Sequence, residues 1–560
     1  MRGGAVRAGT ARGFRDILPS EALARERIVA VVQACLTGHG YVPVETPLLE
    51  LYETFERGGR LRVPSFQFFD SDSGSLVLRP DLTMPIARLV SERTDESSLP
   101  LRLRYLEPVV RESSALAGQP RQFTQLGAEL FDLRDSLPEI EVVSVLAEAL
   151  KTLGVPSWRI VCGSVTPLLS LLDACAPNAA FRAQVLSLVH DSDLPGLDGL
   201  VKGVGLDDCA AHALSSLCRL AGGASVIDEA DSLLAEVGIP LKRRGTSELR
   251  DFARQLSGLA EDADIGFDFS IVNSFDYYTG VVFKAYSDAS SGAIASGGRY
   301  DAVPESFDRP EMSACGFALS LERLQEVLGE QGESGVVSTT RGRSTRPLRI
   351  AVPKGGLFRG AVDVLDRAGL PVEGLRDPGR RLIVPAGDVE YVIVRAQDAP
   401  AFVGHGGADC GICGNDSIIE AGIGLVQLVD LGFGACRFVV AEPRAKKGVA
   451  EGAYSWRGTV RVATKYPRIT QDYYDSIGQK VDIVTLHGNI ELGPIVGMTD
   501  RIVDITATGA TLRENDLVIV DDVMSCTARF FAGPAAYRSD GRVRRLAAIL
   551  GELSQKKGEA

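Results

Sequence analysis

A run of small and hydroxyl-bearing residues follows an apolar segment in the stretch DITATGATLREN, residues 504–515. This pattern predicts a strand that ends at Asp504, a tight turn, and a helix that begins near Leu512. Residues 508–511 (TGAT) have little side-chain bulk, so their backbone N–H groups can converge on an anion at the positive end of that helix. Asp504 is suited to hold ribose hydroxyls or a magnesium-bound water. The stretch favours a phosphate site, and an ordinary capped turn between strand and helix is the alternative.

Two lysines in the same half of the chain lie where further anion-binding groups would be useful. Lys354 follows the apolar segment IAVP and precedes Gly355 and Gly356, so an ammonium and a closely approaching backbone can meet a phosphate together. Lys465 lies in VATKYP, after another apolar segment. Open α/β folds bind ligands at the carboxyl ends of their strands, which is where both lysines are predicted to lie. Each lysine alone is more typical of a solvated surface residue, so the prediction depends on their combination.

These residues belong to the second of two differently patterned halves. The chain has 560 residues, too many for one hydrophobic core, and residues 329–347 (GEQGESGVVSTTRGRSTRP) have the composition of a flexible linker. After the linker, strand patterns alternate with helix patterns, which predicts parallel strands with crossover helices in an α/β architecture. Before it we expect a mixed domain with a helix at about 20–38, a strand ending at Pro47, a helix-rich region at about 133–265 and an antiparallel hairpin at about 277–301.

Composition limits the classes of function. The net charge of -13 disfavours a nucleic-acid partner, because such partners are held by clustered Lys and Arg. No apolar run reaches the roughly 18 residues of a bilayer span, and the N-terminus lacks the apolar segment of a secretion signal, so we expect a cytoplasmic protein with no membrane partner. The ten cysteines have no regular spacing beyond the pair Cys410 and Cys413, which favours buried thiols over a zinc or redox site.

Five motifs after the linker occur in the order typical of one enzyme family. They are IAVPKGGLF, ADCGICGND, DLGFGACRFVVA, RVATKYP and GNIELGPIVGMTDRIVDITATGATLREN. Residues 348 to about 553 thus resemble ATP phosphoribosyltransferase, the first enzyme of histidine biosynthesis. The resemblance implies two lobes like those of periplasmic binding proteins, lobe I at about 348–442 and 526–560 and lobe II at about 443–525, with the active site in the cleft. It also implies transfer of phosphoribosyl from 5-phosphoribosyl diphosphate to N1 of the ATP adenine, with loss of diphosphate.

The same resemblance assigns residues to the two substrates. Those implied to bind 5-phosphoribosyl diphosphate are Asp504, Thr506, Thr508, Gly509, Ala510 and Thr511. Those implied to contact ATP or its phosphates are Lys354, Gly355, Lys465 and Glu491. The family requires Mg2+, which would be held through the substrate diphosphate, with Asp504 as a candidate ligand. Catalysis by positioning and preorganised electrostatics needs no strong general base, which agrees with the residues present.

The chain departs from this family at Gly356, where the family usually has Arg or another cation, and Arg359 is the candidate substitute. The sequence ends soon after RRLAAILGEL, so we expect the short form of the enzyme, which lacks a C-terminal regulatory domain of its own. Regulation of such an enzyme has to come from elsewhere.

Six motifs before the linker resemble the catalytic core of histidyl-tRNA synthetase. They are LRPDLTMPIARL, LEPVVRE, RQFTQLGAELF, FDYYTGVVF, SGGRYDAV and GFALSLERL, within about residues 10–328. The resemblance implies a class II synthetase fold, in which helices flank an antiparallel sheet, and dimerisation around the segment ending at Pro47.

The family's histidine pocket can be carried over residue by residue. Asp81 and Thr83 would lie near the amino group, Gln125 and Glu129 would bind the ammonium or the imidazole, and Tyr277 and Tyr278 would line the ring; Arg111 completes the regulatory set. Carboxylates, an amide and phenols suit a small zwitterion with a donor-bearing ring. The alternative is that these residues are relics that only hold the sheet together.

Two departures argue against tRNA charging. The arginine expected three residues before the Asp of the DYY motif is replaced by Asn273, which removes electrostatic stabilisation of adenylate formation, and the linker stands where an anticodon-binding domain is expected. Arg111 and Arg323 persist, so weak ATP binding remains open. This half therefore resembles the regulatory subunit of ATP phosphoribosyltransferase.

Together the two resemblances predict a fused, histidine-inhibited ATP phosphoribosyltransferase. Its domains would be residues 1–328, the linker 329–347 and residues 348–560. Because the resemblance implies an assembly of four regulatory and four catalytic subunits, a homotetramer is the simplest expectation. The alternatives are a bifunctional protein that still activates histidine or charges tRNA, and a non-catalytic module that only senses ligands.

Overall fold

The computed structural model describes residues 9–57, 65–112, 120–134, 137–259, 264–271, 278–329, 346–506 and 509–558. The chain forms two compact units, the first made of Met1–Arg346 with Pro534–Gly541 and the second of Pro347–Gly533 with Arg542–Ala560. Most of the predicted linker, residues 330–345, lies outside the described residues. Within the described part, no helix is long and apolar enough to cross a membrane.

The first half of the chain contains twelve strands and twelve α-helices in its described part. The strands are β1 (Val42–Pro43), β2 (Leu49–Leu51), β3 (Gln67–Asp70), β4 (Gly74–Leu78), β5 (Leu101–Val110), β6 (Gln122–Leu133), β7 (Trp158–Ser164), β8 (Ala221–Gly222), β9 (Ile265–Asp268), β10 (Val281–Ser287), β11 (Ala295–Arg299) and β12 (Met312–Ser320). The helices are α1 (Pro19–Gly38), α2 (Tyr52–Arg57), α3 (Thr83–Arg93), α4 (Pro138–Thr152), α5 (Thr166–Cys175), α6 (Ala179–His190), α7 (Leu194–Val204), α8 (Asp208–Leu217), α9 (Ser225–Glu236), α10 (Thr246–Leu259), α11 (Ala302–Ser306) and α12 (Leu321–Leu328), with short 3-10 turns at Glu96–Ser98 and Leu241–Arg243.

A nine-stranded sheet organises the first unit. Its order is β1-β5-β6-β12-β11-β10-β7-β9-β8, and its central pairs, from β5 to β7, are antiparallel. The outer pairs β1 with β5 and β7 with β9 are parallel. Helix α4 buries Val142, Val145 and Leu146 completely or nearly so. The flanked, mainly antiparallel sheet confirms the predicted fold class.

The strand predicted to end at Pro47 is instead two short strands, β1 and β2, on either side of that proline. Proline has no N–H for a sheet ladder, so pairing stops there. The buried guanidinium of Arg79 takes over, donating to the carbonyl oxygens of Thr46 at 2.5 Å and Pro47 at 3.2 Å. This irregular backbone is therefore satisfied from within the unit.

The helix-rich region predicted at about 133–265 is present, and its helices begin at capping side chains. Asn178, Asp193 and Asp207 each accept a hydrogen bond from a backbone N–H three residues later, at 2.8, 2.9 and 3.0 Å. Such caps satisfy N–H groups that the first turn of a helix leaves without a partner. They explain where α6, α7 and α8 start.

The second half of the chain contains eleven strands and ten α-helices in its described part. The strands are β13 (Leu348–Lys354), β14 (Ile383–Ala386), β15 (Val389–Arg395), β16 (Cys410–Gly414), β17 (Val426–Asp430), β18 (Cys436–Pro443), β19 (Val460–Thr464), β20 (Val481–Thr485), β21 (Arg501–Thr506), β22 (Leu517–Cys526) and β23 (Ala528–Ala532). The helices are α13 (Phe358–Arg367), α14 (Glu373–Arg376), α15 (Ala399–Gly404), α16 (Asn415–Ala421), α17 (Val449–Arg457), α18 (Pro467–Ser476), α19 (Leu492–Ile495), α20 (Ala510–Glu514), α21 (Pro534–Ser539) and α22 (Gly541–Gly558), with a 3-10 turn at Arg444–Lys446.

Two sheets form the two lobes of the second unit. The six-stranded sheet has the order β14-β15-β13-β16-β23-β17 and the five-stranded sheet the order β20-β19-β21-β18-β22. The predicted parallel pairing holds for β13 with β15 and β16, and for β19 with β20 and β21. Strands β14, β18, β22 and β23 run antiparallel to their neighbours, so both sheets are mixed.

The lobe boundaries differ from the predicted ones. Strand β18 begins at Cys436 and pairs with β21 and β22, so the second lobe starts before residue 436 rather than at about 443. Residues 534–541, expected in lobe I, belong to the first unit. An antiparallel strand that returns from one lobe to another gives no sign of this in its local hydrophobic pattern.

A buried ion pair holds the second sheet. Arg501, on β21, donates to Glu442 Oε2 at 3.0 Å and also pairs with Glu451. The Glu442 side chain also accepts from the Gly448 N–H at 2.7 Å, and both Arg501 and Glu442 are buried. Removal of Arg501 leaves the buried Glu442 carboxylate without this cation, whereas removal of Glu442 still leaves Arg501 its pair with Glu451.

We therefore expect Arg501→Ala to lower the free energy of unfolding by about 3–5 kcal/mol. The matched control is Asp366→Ala, which removes an exposed pair with Arg376 at 2.6 Å and should cost no more than about 1 kcal/mol. Urea denaturation followed by circular dichroism measures both. Equal losses in the two variants would contradict the importance of burial.

Candidate active and regulatory sites

The first unit contains a cavity of about 70 Å3 beside the central strands of its sheet. The predicted residues that line it are Asp81, Thr83, Arg111, Gln125, Glu129 and Tyr278. Tyr277 and Asn273 lie outside the described residues. The lining residues that the sequence reasoning did not name are Lys284, Ser296, Gly297, Tyr300, Gly316, Phe317 and Ala318. The SGGRYD and GFALS motifs were the available signal for most of these, and Lys284 had none.

Glu129 is the most deeply buried acid of this cavity, with 1% of its surface exposed. It accepts hydrogen bonds from Thr83 Oγ1 at 3.0 Å, Tyr105 Oη at 3.4 Å and Tyr300 Oη at 2.5 Å. Burial raises the pKa of Glu129 to about 8 even though the Tyr300 and Thr83 hydrogen bonds lower it. A Cβ at Gly316 would lie 1.6 Å from Glu129 Oε2, so glycine is needed on the neighbouring strand.

Two acceptors of the cavity have no hydrogen-bond partner among the described residues. They are Asp81 Oδ2 and Gln125 Oε1, and both atoms are buried. Burial raises the pKa of Asp81 to about 6, against the opposing effect of the Arg111 charge. A buried acceptor without a donor is costly, so these atoms mark where a ligand's N–H groups would bind.

The second unit contains a larger cavity, of about 310 Å3, between its two sheets. The lining residues associated with the six-stranded sheet are Leu357, Arg395, Ala396, Gln397, Gly414, Asp416, Ser417 and Thr527, and those associated with the five-stranded sheet are Gly434, Cys436, Tyr466, Ile505 and Cys526. Burial raises the pKa of Asp416. This cleft has the position that the resemblance implied for the active site.

Of the predicted substrate residues that the structure describes, none lines this cavity directly, but two of them are next in sequence to residues that do. Asp504 precedes the lining residue Ile505, and Lys465 precedes the lining residue Tyr466. Burial raises the pKa of Asp504, the Lys465 charge opposes this, and the Glu491 charge adds to it. The structure thus brings Asp504, Lys465 and Glu491 into one electrostatic cluster at the edge of the cleft.

The turn after Asp504 differs from its prediction. The helix begins at Ala510 rather than near Leu512 and has only five residues, too few for a substantial dipole. Gly509 has a left-handed backbone, φ 69°, and its N–H donates to Thr506 Oγ1 at 2.8 Å instead of facing a ligand. Ala510 and Thr511 are exposed, and Thr508 lies outside the described residues. Convergence of all four N–H groups on an anion is therefore not observed.

Two cations end neighbouring parallel strands of the six-stranded sheet. Lys354 and Arg395 are register partners at the carboxyl ends of β13 and β15, and both are exposed. Gly355 follows Lys354 with φ 89°, a conformation that favours glycine. Arg359 is exposed at the start of α13. Sequence reasoning missed Arg395, although the apolar strand VEYVIV that precedes it was the available signal.

The predicted buried thiols are partly observed. Cys410 and Cys413 are both buried on β16. Cys526 is also buried, whereas Cys436 is half-buried; the two are register partners on β22 and β18 and line the cleft.

Comparisons with known proteins match each half separately. Residues 13–324 match the family model for histidyl-tRNA synthetase, and residues 395–555 match the model for ATP phosphoribosyltransferase. The ATP phosphoribosyltransferase of Rubrobacter xylanophilus is 46% identical over 214 residues, which are 38% of this chain and 99% of the relative. The chain belongs to the histidyl-tRNA synthetase and ATP phosphoribosyltransferase families.

The remaining comparisons concern the synthetase-like half. The ATP phosphoribosyltransferase regulatory subunit of Geobacillus thermodenitrificans is 31% identical over 327 residues, which are 58% of this chain and 82% of the relative. A crystal structure of an ATP phosphoribosyltransferase regulatory subunit/histidyl-tRNA synthetase from Bacillus halodurans C superposes with a TM-score of 0.53 at 27% identity, covering 69% of this chain and 92% of that one. The predicted families, fold class and enzyme are confirmed: the chain is an ATP phosphoribosyltransferase with a synthetase-like N-terminal half.

The buried Glu129 makes the stability of the protein depend on pH. Its pKa is about 8 in the folded chain against an ordinary 4.5, so between these values the unfolded chain has lost a proton that the folded chain keeps. This contribution to stability therefore falls as pH rises from about 5 to 8. We expect Glu129→Gln, which cannot ionise, to gain stability relative to the wild type over that range, by at most about 4 kcal/mol.

Urea denaturation at pH 5, 6, 7 and 8 measures this difference. Glu229→Gln, at an exposed position of α9, is the matched control and should follow the wild type at every pH. A constant difference between Glu129→Gln and the wild type would show that Glu129 is ionised in the folded protein.

Proposed function

We propose that the cleft of the second unit transfers the phosphoribosyl group to ATP and that histidine, bound in the cavity of the first unit, inhibits this reaction. The family assignment supports the transfer. The single observation that supports histidine binding in the first unit, which we call the sensor, is a pair of buried acceptor atoms. These atoms are Asp81 Oδ2 and Gln125 Oε1, and they lack donors among the described residues. An enzyme that begins histidine biosynthesis gains feedback control from such a pocket.

The charges around the cleft suit phosphoribosyl transfer. N1 of adenine supplies the attacking electron pair, the bond from the ribose C1 to diphosphate breaks, and positive charge develops at C1 as negative charge leaves. Lys354 and Arg395, side by side at two strand ends, can bind phosphate oxygens, and Arg395 can supply the cation that Gly356 does not. Asp504 would hold ribose hydroxyls near the developing positive charge.

The same residues fit a magnesium-dependent reaction. Near Asp504 the described chain brings one further acid, Glu491, together with Lys465, so a bound Mg2+ would take few protein ligands and more from the substrate diphosphate. Asp504 is the residue that would hold it, and the ion would neutralise charge on the leaving diphosphate.

The cavity of the first unit suits a small zwitterion. Its volume is roughly that needed by five water molecules, and its walls carry acceptors for an ammonium and a ring N–H. Glu129, held by three hydroxyl groups, can accept from an imidazole N–H when ionised. The alternative of tRNA charging is tested by incubating the purified protein with tRNA and histidine, and charging would establish a second activity.

We further propose a homotetramer. The regulatory relative is a separate subunit, whereas this chain joins a half like it to the transferase, so one chain replaces one subunit of each kind. Sedimentation equilibrium distinguishes a tetramer from a monomer or dimer.

Release of diphosphate from ATP and 5-phosphoribosyl diphosphate tests the transferase site. We expect Asp504→Asn to lower kcat/KM about 100-fold, because a preorganised charge at the reacting carbon is lost. Arg395→Ala should raise the KM of a phosphate-bearing substrate about 10-fold. Asp482→Asn and Arg381→Ala, both exposed in the same unit, are the controls and should keep wild-type rates. Full activity of Asp504→Asn would remove Asp504 from the site, and the Thr511→Ala variant tests the turn in the same way.

Inhibition by histidine tests the sensor. Asp81→Asn and Tyr278→Ala should raise the histidine concentration for half-inhibition at least 10-fold, because each removes a group that faces the ligand. Asp95→Asn, exposed just after α3, is the control and should be inhibited like the wild type. Unchanged inhibition of Asp81→Asn and Tyr278→Ala would place the histidine site elsewhere.

A further inference from the structure

A lysine lies in the wall of the first unit's cavity, opposite in charge to the acids already described. Lys284 is on β10 and pairs in register with Ser296 on β11, and both residues line the cavity. Side chains alternate along a strand, so Lys284 lies on the same sheet face as Val282 and Tyr286. Burial lowers the pKa of Lys284 to about 8, with a further lowering from Arg538, while Asp268 raises it. The side chain therefore remains mostly protonated at neutral pH.

The same sheet face also carries a segment from the far end of the chain. Residues 534–541 belong to this unit, and Ala535, with no exposed surface, packs against Val161, Val282 and Tyr286. This packing places the segment beside the cavity wall that contains Lys284.

A buried ion pair holds the segment there. Arg538 donates from Nε to Asp268 Oδ2 at 3.0 Å and from a terminal nitrogen to Ser270 Oγ at 3.5 Å. Its guanidinium lies 5.7 Å from the centre of the Tyr286 ring, and the residue is buried. Two cations, Lys284 and Arg538, thus share a poorly solvated region in which Asp268 is the anion paired with Arg538.

We infer that Lys284 binds the carboxylate of the amino acid that occupies the cavity. We further infer that this binding strengthens the attachment of the Pro534–Gly541 segment to the first unit. The inference rests on the proposed function, because it takes an amino acid as the occupant. The ligand's ammonium donates to Asp81 Oδ2 and Gln125 Oε1, and its carboxylate accepts from Lys284. The carboxylate offsets the positive charge of Lys284. Because Lys284 then repels the Arg538 guanidinium less, the ion pair of Arg538 with Asp268 attaches the segment more strongly to the first unit.

The position of the segment in the chain connects its attachment to the first unit with the transferase cleft of the second unit. Strand β23 precedes it directly and belongs to the six-stranded sheet of the second unit. Thr527, the residue before β23, lines the transferase cleft. The segment is therefore joined through one five-residue strand to the wall of the cleft. By linkage, a ligand that strengthens the attachment of the segment to the first unit must itself bind more tightly when the segment is attached.

Calorimetric titration with L-histidine and with histamine, which lacks the carboxylate, tests the role of Lys284. We expect the wild type to bind L-histidine at least 10-fold more tightly than histamine, and Lys284→Met to bind the two within about 3-fold of each other. Lys202→Met, at an exposed site on α7, is the control and should discriminate like the wild type. Wild-type discrimination by Lys284→Met overturns this inference alone. No binding of L-histidine by the wild type overturns both the inference and the proposed regulation.

Hydrogen exchange of the full-length protein tests the coupling between the ligand and the segment. In the wild type, L-histidine should slow exchange of the backbone amides of residues 535–541 at least 5-fold and histamine less than 2-fold. Neither should slow this exchange in Lys284→Met. Unchanged exchange with saturating L-histidine would overturn the coupling.

Discussion

A carboxyl group buried in the middle of the nine-stranded sheet is the constraint on which the first unit depends. Glu129 can be buried there because hydroxyl groups from three separate places in the chain, Thr83, Tyr105 and Tyr300, form hydrogen bonds with it. Its neighbour on β12 must be Gly316, since any side chain would collide with the carboxyl group. Motifs more than 200 residues apart are therefore tied to one group, and the cavity forms around that group because the hydroxyls leave room beside it.

The second unit depends on a different constraint, the carboxyl ends of its parallel strands. Lys354 and Arg395 are brought side by side by the register of β13 and β15, not by proximity in sequence. Asp504 lies within β21, two residues before its end, and Lys465 directly follows β19, the strand that pairs with β21 in parallel. Charges of opposite sign are thus placed around a cleft that two sheets form together, which is the arrangement that transfer of a charged group needs.

The sequence predicted many elements of the fold and of the candidate sites. It did not predict features that are determined by pairing between strands far apart in the chain. The alternation of strands and helices after the linker follows from local hydrophobic patterns. The synthetase-like sheet and the lining role of residues such as Asp81 and Gln125 follow from the resemblance of their motifs to a known family. The missed features have weak local signals. Lys284 resembles any strand lysine until the sheet places it in the cavity wall, and β18 has an ordinary apolar pattern that does not reveal which lobe it joins. The helix after Gly509 was predicted too late, because the glycine's left-handed turn ends sooner than the small residues indicated.

The presence of both halves in one chain affects more than their stoichiometry. One chain fixes the ratio of the synthetase-like half to the transferase half and keeps them at an effective concentration on the order of millimolar. The chain also returns to the first unit after Gly533 and leaves it again after Gly541. A fragment that ends at the linker would therefore lack Arg538 and would leave Asp268, with 1% of its surface exposed, without its main cation. Since an unpaired buried charge is strongly destabilising, the first unit depends on the end of the chain for its own folding. The synthetase-like half thus depends on residues from beyond the linker, and the segment that supplies Arg538 follows directly on a strand of the transferase half.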